Sequence, residues 1–193
     1  DIWRDMYNAI AACNKTLEHI IATEIVFNFT GQREIITGEL YALRGALHFE
    51  LLRMFHPHPS VAPSFKGMPY MTTFGSATGP ALSTGELLEY IIRDLKHAAK
   101  LLYKTDPLFS AYNNSDEQPG KLSRKLRTFH MNYYAVTAEL ARIYLYKKEY
   151  QQAYNYADTT FHHIRQMNPS YQVFYYFGPG KYKLTTKNLP ILS

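Results

Sequence analysis

Apolar residues recur at steps of three and four along five stretches of the chain, the spacing that turns one face of an α-helix toward a core. The first stretch carries Trp3, Met6, Tyr7, Ile10, Cys13, Leu17, Ile20 and Ile21. The second opens after Thr30-Gly31 and carries Ile36, Leu40, Leu43, Leu47, Leu51 and Met54. Pro57 and Pro59, which have no amide hydrogen to give a helix, end it. Gly45 and Ala46 in its middle leave room for a neighbouring helix to come close. The third begins at Ser83-Thr84-Gly85-Glu86, where Ser83 and Glu86 fit a capping box, each side chain reaching the other's free backbone N–H. Leu87, Ile91, Leu95, Ala98 and Leu102 follow on one face. The fourth starts at Asn132 as N-cap, carries Val136, Leu140, Ile143 and Tyr144, and breaks around Lys147-Lys148-Glu149. The fifth carries Tyr150, Ala153, Tyr154, Ala157, Phe161 and Ile164 and stops before Asn168-Pro169.

Two long connections lack a helical period. One runs from His56 to Leu82 and is rich in proline; the other runs from Thr105 to about His130. Loops of such length in a compact domain usually serve a function or stay disordered. The best strand candidates are short, Pro69 to Phe74 and Tyr171 to Phe177. The expected fold class is therefore all-α. We expect one helical domain over residues 1–167, followed by an irregular tail over 168–193 that reads as a remnant of something larger.

The fourth and fifth helices, with Ala138–Asp158 between their centres, read as a tetratricopeptide-like hairpin. Such units need small residues where two helices cross and large ones in the holes. Ala141 and Ala153 supply the small positions, Leu140 and Tyr144 the large ones, and Tyr150 is expected to pack back over the turn. The turn departs from the pattern, with Lys148 in place of its glycine. Units of this kind need stacked neighbours, and the other helices are the obvious ones.

Composition changes this picture little. Of 193 residues, 46% are hydrophobic and 19% charged, which fits a globular chain and not a disordered one. The 17 tyrosines suit helix packing with a polar tip, and equally suit surfaces that stack on sugars. The net charge of +5 raises nucleic-acid binding, which needs a clustered basic face. The densest run is Lys121, Arg124, Lys125 and Arg127; the other cations are scattered among acids, so we read a solvated surface and no nucleic-acid partner.

Candidate chemistry is sparse. Cys13 is the only cysteine, so no disulfide framework and no CxxC site exists. Ile10-Ala11-Ala12-Cys13 imitates a lipoprotein cleavage box, but the residues before it are polar, and Cys13 reads as a buried helix residue. The opening residues do not form a signal peptide, so either the protein stays inside the cell or its targeting segment lies outside this sequence. Eight histidines invite a metal site, yet HExxH and His–carboxylate clusters are missing, and His56 and His58 in their proline-rich turn are expected to face solvent. GxSxG and phosphate-cradling glycine loops are missing too, and Asp116-Glu117 sits in a loop too polar to raise a carboxyl pKa. We expect no catalytic residues, no metal and no cofactor, hence no enzyme.

Four blocks resemble the SusD/RagB family. IWRDMYNAIAACNKTLEHI is similar to its early helix at Trp3, Tyr7, Ile10, Asn14 and Leu17. ITGELYALRGALHFELLRMFH is similar to its most recognisable helix at Gly38, Glu39, Leu43, Arg44, His48, Phe49, Leu52 and Phe55. GMPYMTTF with LSTGELLEYIIRDLKHAAKLL resembles its short extended segment, capped turn and next helix through Pro69, Ser83, Ile91, Asp94, Leu95 and Ala98. HMNYYAVTAELARIYLYKKEYQQAYNYAD resembles its later hairpin through Asn132, Ala135, Leu140, Ala141, Arg142, Tyr144, Leu145 and Tyr150. The blocks keep the family's order over about the first 165 residues. Two departures stand out: the chain is much shorter than a full member, and His56-Pro57-His58-Pro59 replaces a Gly-Pro-type turn.

The resemblance implies a tetratricopeptide-like superhelix. It also implies a lipid-anchored protein facing outward on the outer membrane, capturing glycans or peptides for a SusC-like TonB-dependent transporter. A glycan site needs aromatic faces with amides alongside. On that ground Tyr70 and Phe74 in the first long loop, and Tyr112, Asn113 and Asn114 in the second, are the candidate glycan-binding residues, although Tyr70 and Phe74 equally suit packing on the helices. The alternative is a tetratricopeptide-like protein–protein interaction scaffold with no glycan ligand.

Overall fold

A computed structural model describes residues 1–23, 27, 30–75, 79–103, 105–106, 127 and 129–167, with side chains up to 161. Its described elements run α1 (Ile2–Ala22), α2 (Gln32–Phe55), β1 (Lys66–Met68), β2 (Leu82–Ser83), α3 (Thr84–Leu102), α4 (Tyr133–Tyr146) and α5 (Tyr150–Met167). The fold is all-α apart from the two short strands.

The helix starts follow local chemistry. Asp1 caps α1 by accepting from the Trp3 amide. Ser83 and Glu86 form the full capping box of α3: the Glu86 amide donates to Ser83 Oγ at 3.3 Å, and the Ser83 amide donates to Glu86 Oε2 at 2.8 Å. Asn132 accepts from the Ala135 amide at 3.0 Å and starts α4. Helix α2 opens from Gly31 at φ 88°, a left-handed conformation that favours glycine.

Helix α2 is central and packs on α1, α3 and α4. Its buried residues include Ile35, Gly38, Ala42, Gly45, Phe49 and Leu52, with Gly38 and Gly45 set against α3. This corrects the expected stripe, in which Leu43 and Met54 turn out exposed. The cause is physical: at the crossing with α3 the close approach is made by glycines. A Cβ on Gly38 would lie 2.8 Å from Leu102 Cγ, and one on Gly45 would lie 3.1 Å from Leu95 Cγ. Gly45 thus does what its position suggested, and Gly38, two turns away, shares the task with it. The core gathers Ile10, Phe49, Leu52, Leu87, Ile91, Leu95, Leu102, Leu140 and Ile143. Cys13 is buried in α1 as expected.

Helices α4 and α5 form the antiparallel hairpin. Thr137 and Thr160 share a hydrogen bond of 2.8 Å across it, and the rings of Tyr144 and Tyr156 stack at 5.4 Å. Lys148 takes φ 62° in the turn, the conformation a glycine would adopt more easily. Ala153 is buried and Ala141 partly so. Tyr150 does not pack back over the turn; it is 64% exposed.

Strand β1 pairs antiparallel with β2, Lys66 opposite Ser83 and Met68 opposite Leu82, with an irregularity between. The strand candidate Pro69–Phe74 falls just past β1 and forms no ladder; Tyr171–Phe177 and the tail over 168–193 lie outside the described residues. Two polar expectations are also corrected. His56 is buried: its Nε2 accepts from the Gly67 amide at 3.0 Å and its Nδ1 meets Thr84 Oγ1 at 2.9 Å. His58 is partly buried and bonds Ser60. Arg127, read as part of a solvated run, is 1% exposed and pairs with Asp106 at 2.7 Å and with Glu39. Lys121, Arg124 and Lys125 lie outside the described residues. None of the described helices is long and apolar enough to cross a membrane.

Candidate functional site

The segment Pro69–Phe74 has no strand partner, so its peptide groups must find partners elsewhere. Two helices supply them. From α1, Tyr7 Oη donates to the Pro69 carbonyl at 3.0 Å, and Asn14 Nδ2 donates to the carbonyls of Met71 at 3.1 Å and Thr73 at 3.2 Å. Glu18 accepts from the Phe74 amide at 2.8 Å. From α2, Arg44 Nη1 donates to the Thr72 carbonyl at 3.3 Å, and His48 Nε2 accepts from the Met71 amide at 3.1 Å.

Beneath the segment lies a buried ionic group. Arg44 Nε donates to Asp94 Oδ2 at 2.6 Å, and Arg44 Nη1 donates to Asn14 Oδ1 at 2.9 Å. Tyr70 Oη also donates to Asp94 Oδ2 at 2.6 Å, while Arg93 reaches Asp94 Oδ1 at 3.2 Å. Burial works against the Arg44 charge, but the bond and charge of Asp94 outweigh it and raise its pKa. Burial, reinforced by Asp94, pushes the Tyr70 phenol far up, so it stays a neutral donor. Burial brings His48 down to about 4. Because His48 Nε2 accepts from Met71, its proton sits on Nδ1, which donates to the Arg44 carbonyl at 2.8 Å.

Between α1 and this segment opens a cleft of about 410 Å³. Trp3, Tyr7, Asn8 and Arg4 form its α1 wall, and Pro69, Met71 and Thr73 its other wall. The rings of Trp3 and Tyr7 lie 5.1 Å apart at 51°, and Phe55 supports Trp3 edge-on at 5.0 Å. Burial pushes the Tyr7 phenol up to about 12, so it is a neutral donor at ordinary pH. Aromatic faces beside an amide and a guanidinium suit a polyhydroxylated ring, whose C–H faces stack and whose hydroxyls seek donors and acceptors. Among the described residues no group of three or more His, Cys, Asp or Glu side chains could hold a metal ion.

The structure separates the residues chosen from the sequence. Tyr70 is 7% exposed, stacked on His48 at 3.9 Å and on Tyr90 at 5.3 Å, so it holds the segment and has little ring surface left for a ligand. Phe74 is 49% exposed, just past the Thr73 that lines the cleft, with Lys15 Nζ 5.2 Å from its ring centre. Tyr112, Asn113 and Asn114 lie outside the described residues. Sequence reasoning placed Trp3 and Tyr7 in the helix core and did not weigh them as a ligand surface. Their spacing of four, with Asn8 beside Tyr7, is the signal that would have found them.

A family model described as starch-binding and associating with the outer membrane, SusD-like, matches residues 1–145. No curated protein matches the chain. Among solved structures, the chain resembles a putative sugar binding protein from Bacteroides vulgatus, with 23% identity and a TM-score of 0.67 over 86% of this chain and 34% of that one. A SusD superfamily protein from Bacteroides vulgatus shares 21% identity, with a TM-score of 0.69 over 90% of this chain and 35% of that one. A laminarin binding SusD-like protein shares 20% identity, with a TM-score of 0.58 over 81% of this chain and 28% of that one. At such identities the likeness speaks for the fold, and the chain spans about a third of these proteins' length. With the family model matched from residue 1 through residue 145 of 193, the chain belongs to the SusD-like family.

Proposed function

We propose that this chain captures glycans at the outer membrane, lipid-anchored and facing outward, and hands them to a SusC-like TonB-dependent transporter without chemical change. The observation that carries the reading is the aromatic cleft of Trp3 and Tyr7, walled by a segment rigidly held at its peptide groups, in a chain of this family. Its neutral phenol, amide and ring faces suit binding and orienting a sugar. Phe74 extends the stacking surface, and Tyr112, Asn113 and Asn114 are proposed as the second loop's contribution.

The test is a glycan array with the 193-residue chain, followed by titration of the best ligand into Trp3→Ala and Phe74→Ala. Loss of one stacked ring should weaken binding by about tenfold. Unchanged affinity in both variants would remove the cleft from the site. The tetratricopeptide-like α4–α5 hairpin supports a second reading, an interaction scaffold with no glycan ligand. Silence across the whole array, together with binding of peptides, would favour it.

A further inference from the structure

A second cleft, of about 420 Å³, opens on the opposite side of the 69–74 segment, walled by Tyr41, Arg44, Thr72, Arg93, Asp94 and His97. Met71 and Thr73 face the first cleft, and Thr72 faces this one.

Arg44 is 4% exposed, and its donors can be accounted for one by one. Nε is taken by Asp94, and Nη1 by Asn14 and the Thr72 carbonyl. Nη2 has no partner among the described residues, and it is not sealed off from open space. Tyr41 covers one flat side of the guanidinium at 4.8 Å, so what Arg44 has left to offer is an edge. Asp94 does not receive it: its Oδ2 accepts from Arg44 Nε and Tyr70, and its Oδ1 from Arg93. The rest of the wall has the same character. The Arg93 side chain is 54% exposed and rests on the Tyr90 ring at 4.7 Å, and His97 stands edge-on to Tyr41 at 4.6 Å. Two guanidinium groups thus face a single carboxylate, which bonds both of them and Tyr70. A donor edge that opens on a cleft of net positive charge, with no acceptor from the described residues, suits an anionic acceptor.

We propose that this cleft binds a carboxylate, one oxygen accepting from Arg44 Nη2 and the other from Arg93. The ligand group is planar, as the guanidinium fork requires. A uronic acid unit of an acidic glycan and the C-terminus of a peptide both carry it. This inference concerns the cleft of Thr72 and stands apart from the neutral-sugar reading of the Trp3 cleft.

The experiment is a titration of the isotope-labelled 193-residue chain by NMR, reading the amides of Thr72, Arg93 and His97. The probes are sodium glucuronate, glucose, and a short peptide with a free or an amidated C-terminus, all at matched ionic strength. Glucuronate should shift these amides saturably and glucose should not, and raising the salt should weaken the effect. Arg93→Gln, which leaves the Arg44–Asp94 pair intact, should weaken glucuronate about tenfold with an unchanged melting temperature. A free peptide C-terminus binding better than glucuronate, and its amide not at all, upholds the carboxylate and names its source as peptide; the reverse order names it as glycan. Equal shifts from glucose and glucuronate, no shift from either carboxylate, or full affinity in Arg93→Gln would overturn the proposal. The Trp3 indole N–H reports neutral-sugar binding in the same spectra, so the two clefts succeed or fail separately.

Discussion

At the scale of single residues, the most informative group is His48. Its ring accepts from Met71 and donates to the Arg44 carbonyl, an arrangement only the neutral ring can make. Titratable groups face it from several elements: the charged Arg44 on its own helix and Asp94 from α3, and the neutral phenols of Tyr70 and Tyr7 from the segment and α1. Its pKa is brought down from 6.5 to about 4, with burial the largest cause. The unfolded chain therefore takes up a proton below pH 6.5 that the folded chain refuses until about pH 4. The His48 contribution is whole above that window, is lost as the pH falls through it, and amounts to about 3 kcal/mol. Urea unfolding at pH 7.5 and pH 4.5 should show a smaller loss of stability in His48→Gln than in the unaltered chain. Equal losses would mean that His48 is not the group that titrates. His56, also held below its ordinary value by burial, adds to the acid sensitivity of both and cancels in the comparison.

At the scale of elements, the fold turns on the approach of α2 to α3. Gly38→Ala would raise helix propensity, yet its Cβ would lie 2.8 Å from Leu102 Cγ, in a side chain with no room to yield. We expect it to destabilise by about 1–3 kcal/mol. Gly85, in the first turn of α3, has nothing within 4 Å, so Gly85→Ala should stabilise by about 0.5–1 kcal/mol. Thermal melts of the two variants should move in opposite directions. These glycines also explain what the sequence could and could not convey. Helix ends were legible, because a cap such as Ser83–Glu86 or Asn132 is written in a few adjacent residues. The phase of α2 was not, because its buried stripe is built from Gly38, Ala42 and Gly45 and carries little hydrophobic signal. The site was harder still. Tyr70 and Trp3 are both aromatic, and only the fold decides that Asp94 claims the first while the second borders open space. Likewise Arg127 looked like one surface cation among several until Asp106 and Glu39 came to meet it.

At the scale of the whole molecule, long-range polar ties close what the helices leave open. Arg127 joins Asp106 and Glu39, groups 21 and 88 residues away, and its backbone carbonyl accepts from Asn132 Nδ2 at 3.0 Å. Thus the start of α4, the end of α3 and the middle of α2 share one buried charge. Removing it breaks a buried ion pair, and Arg127→Ala should cost about 3 kcal/mol. Urea unfolding checks this, and a change below about 0.5 kcal/mol would place the pair in water-like surroundings.

The restraint on the 69–74 segment has a consequence for how such a protein can diversify. The helices grip its carbonyls and amides, which every residue type but proline provides alike, while the side chains of Tyr70 and Met71 are held by Asp94 and by the core. The identities at Thr72, Thr73 and Phe74 are therefore largely uncoupled from the hold on the chain. A lineage, or a designer, can rewrite them one at a time, changing the wall that each cleft presents while the clasp stays as it is.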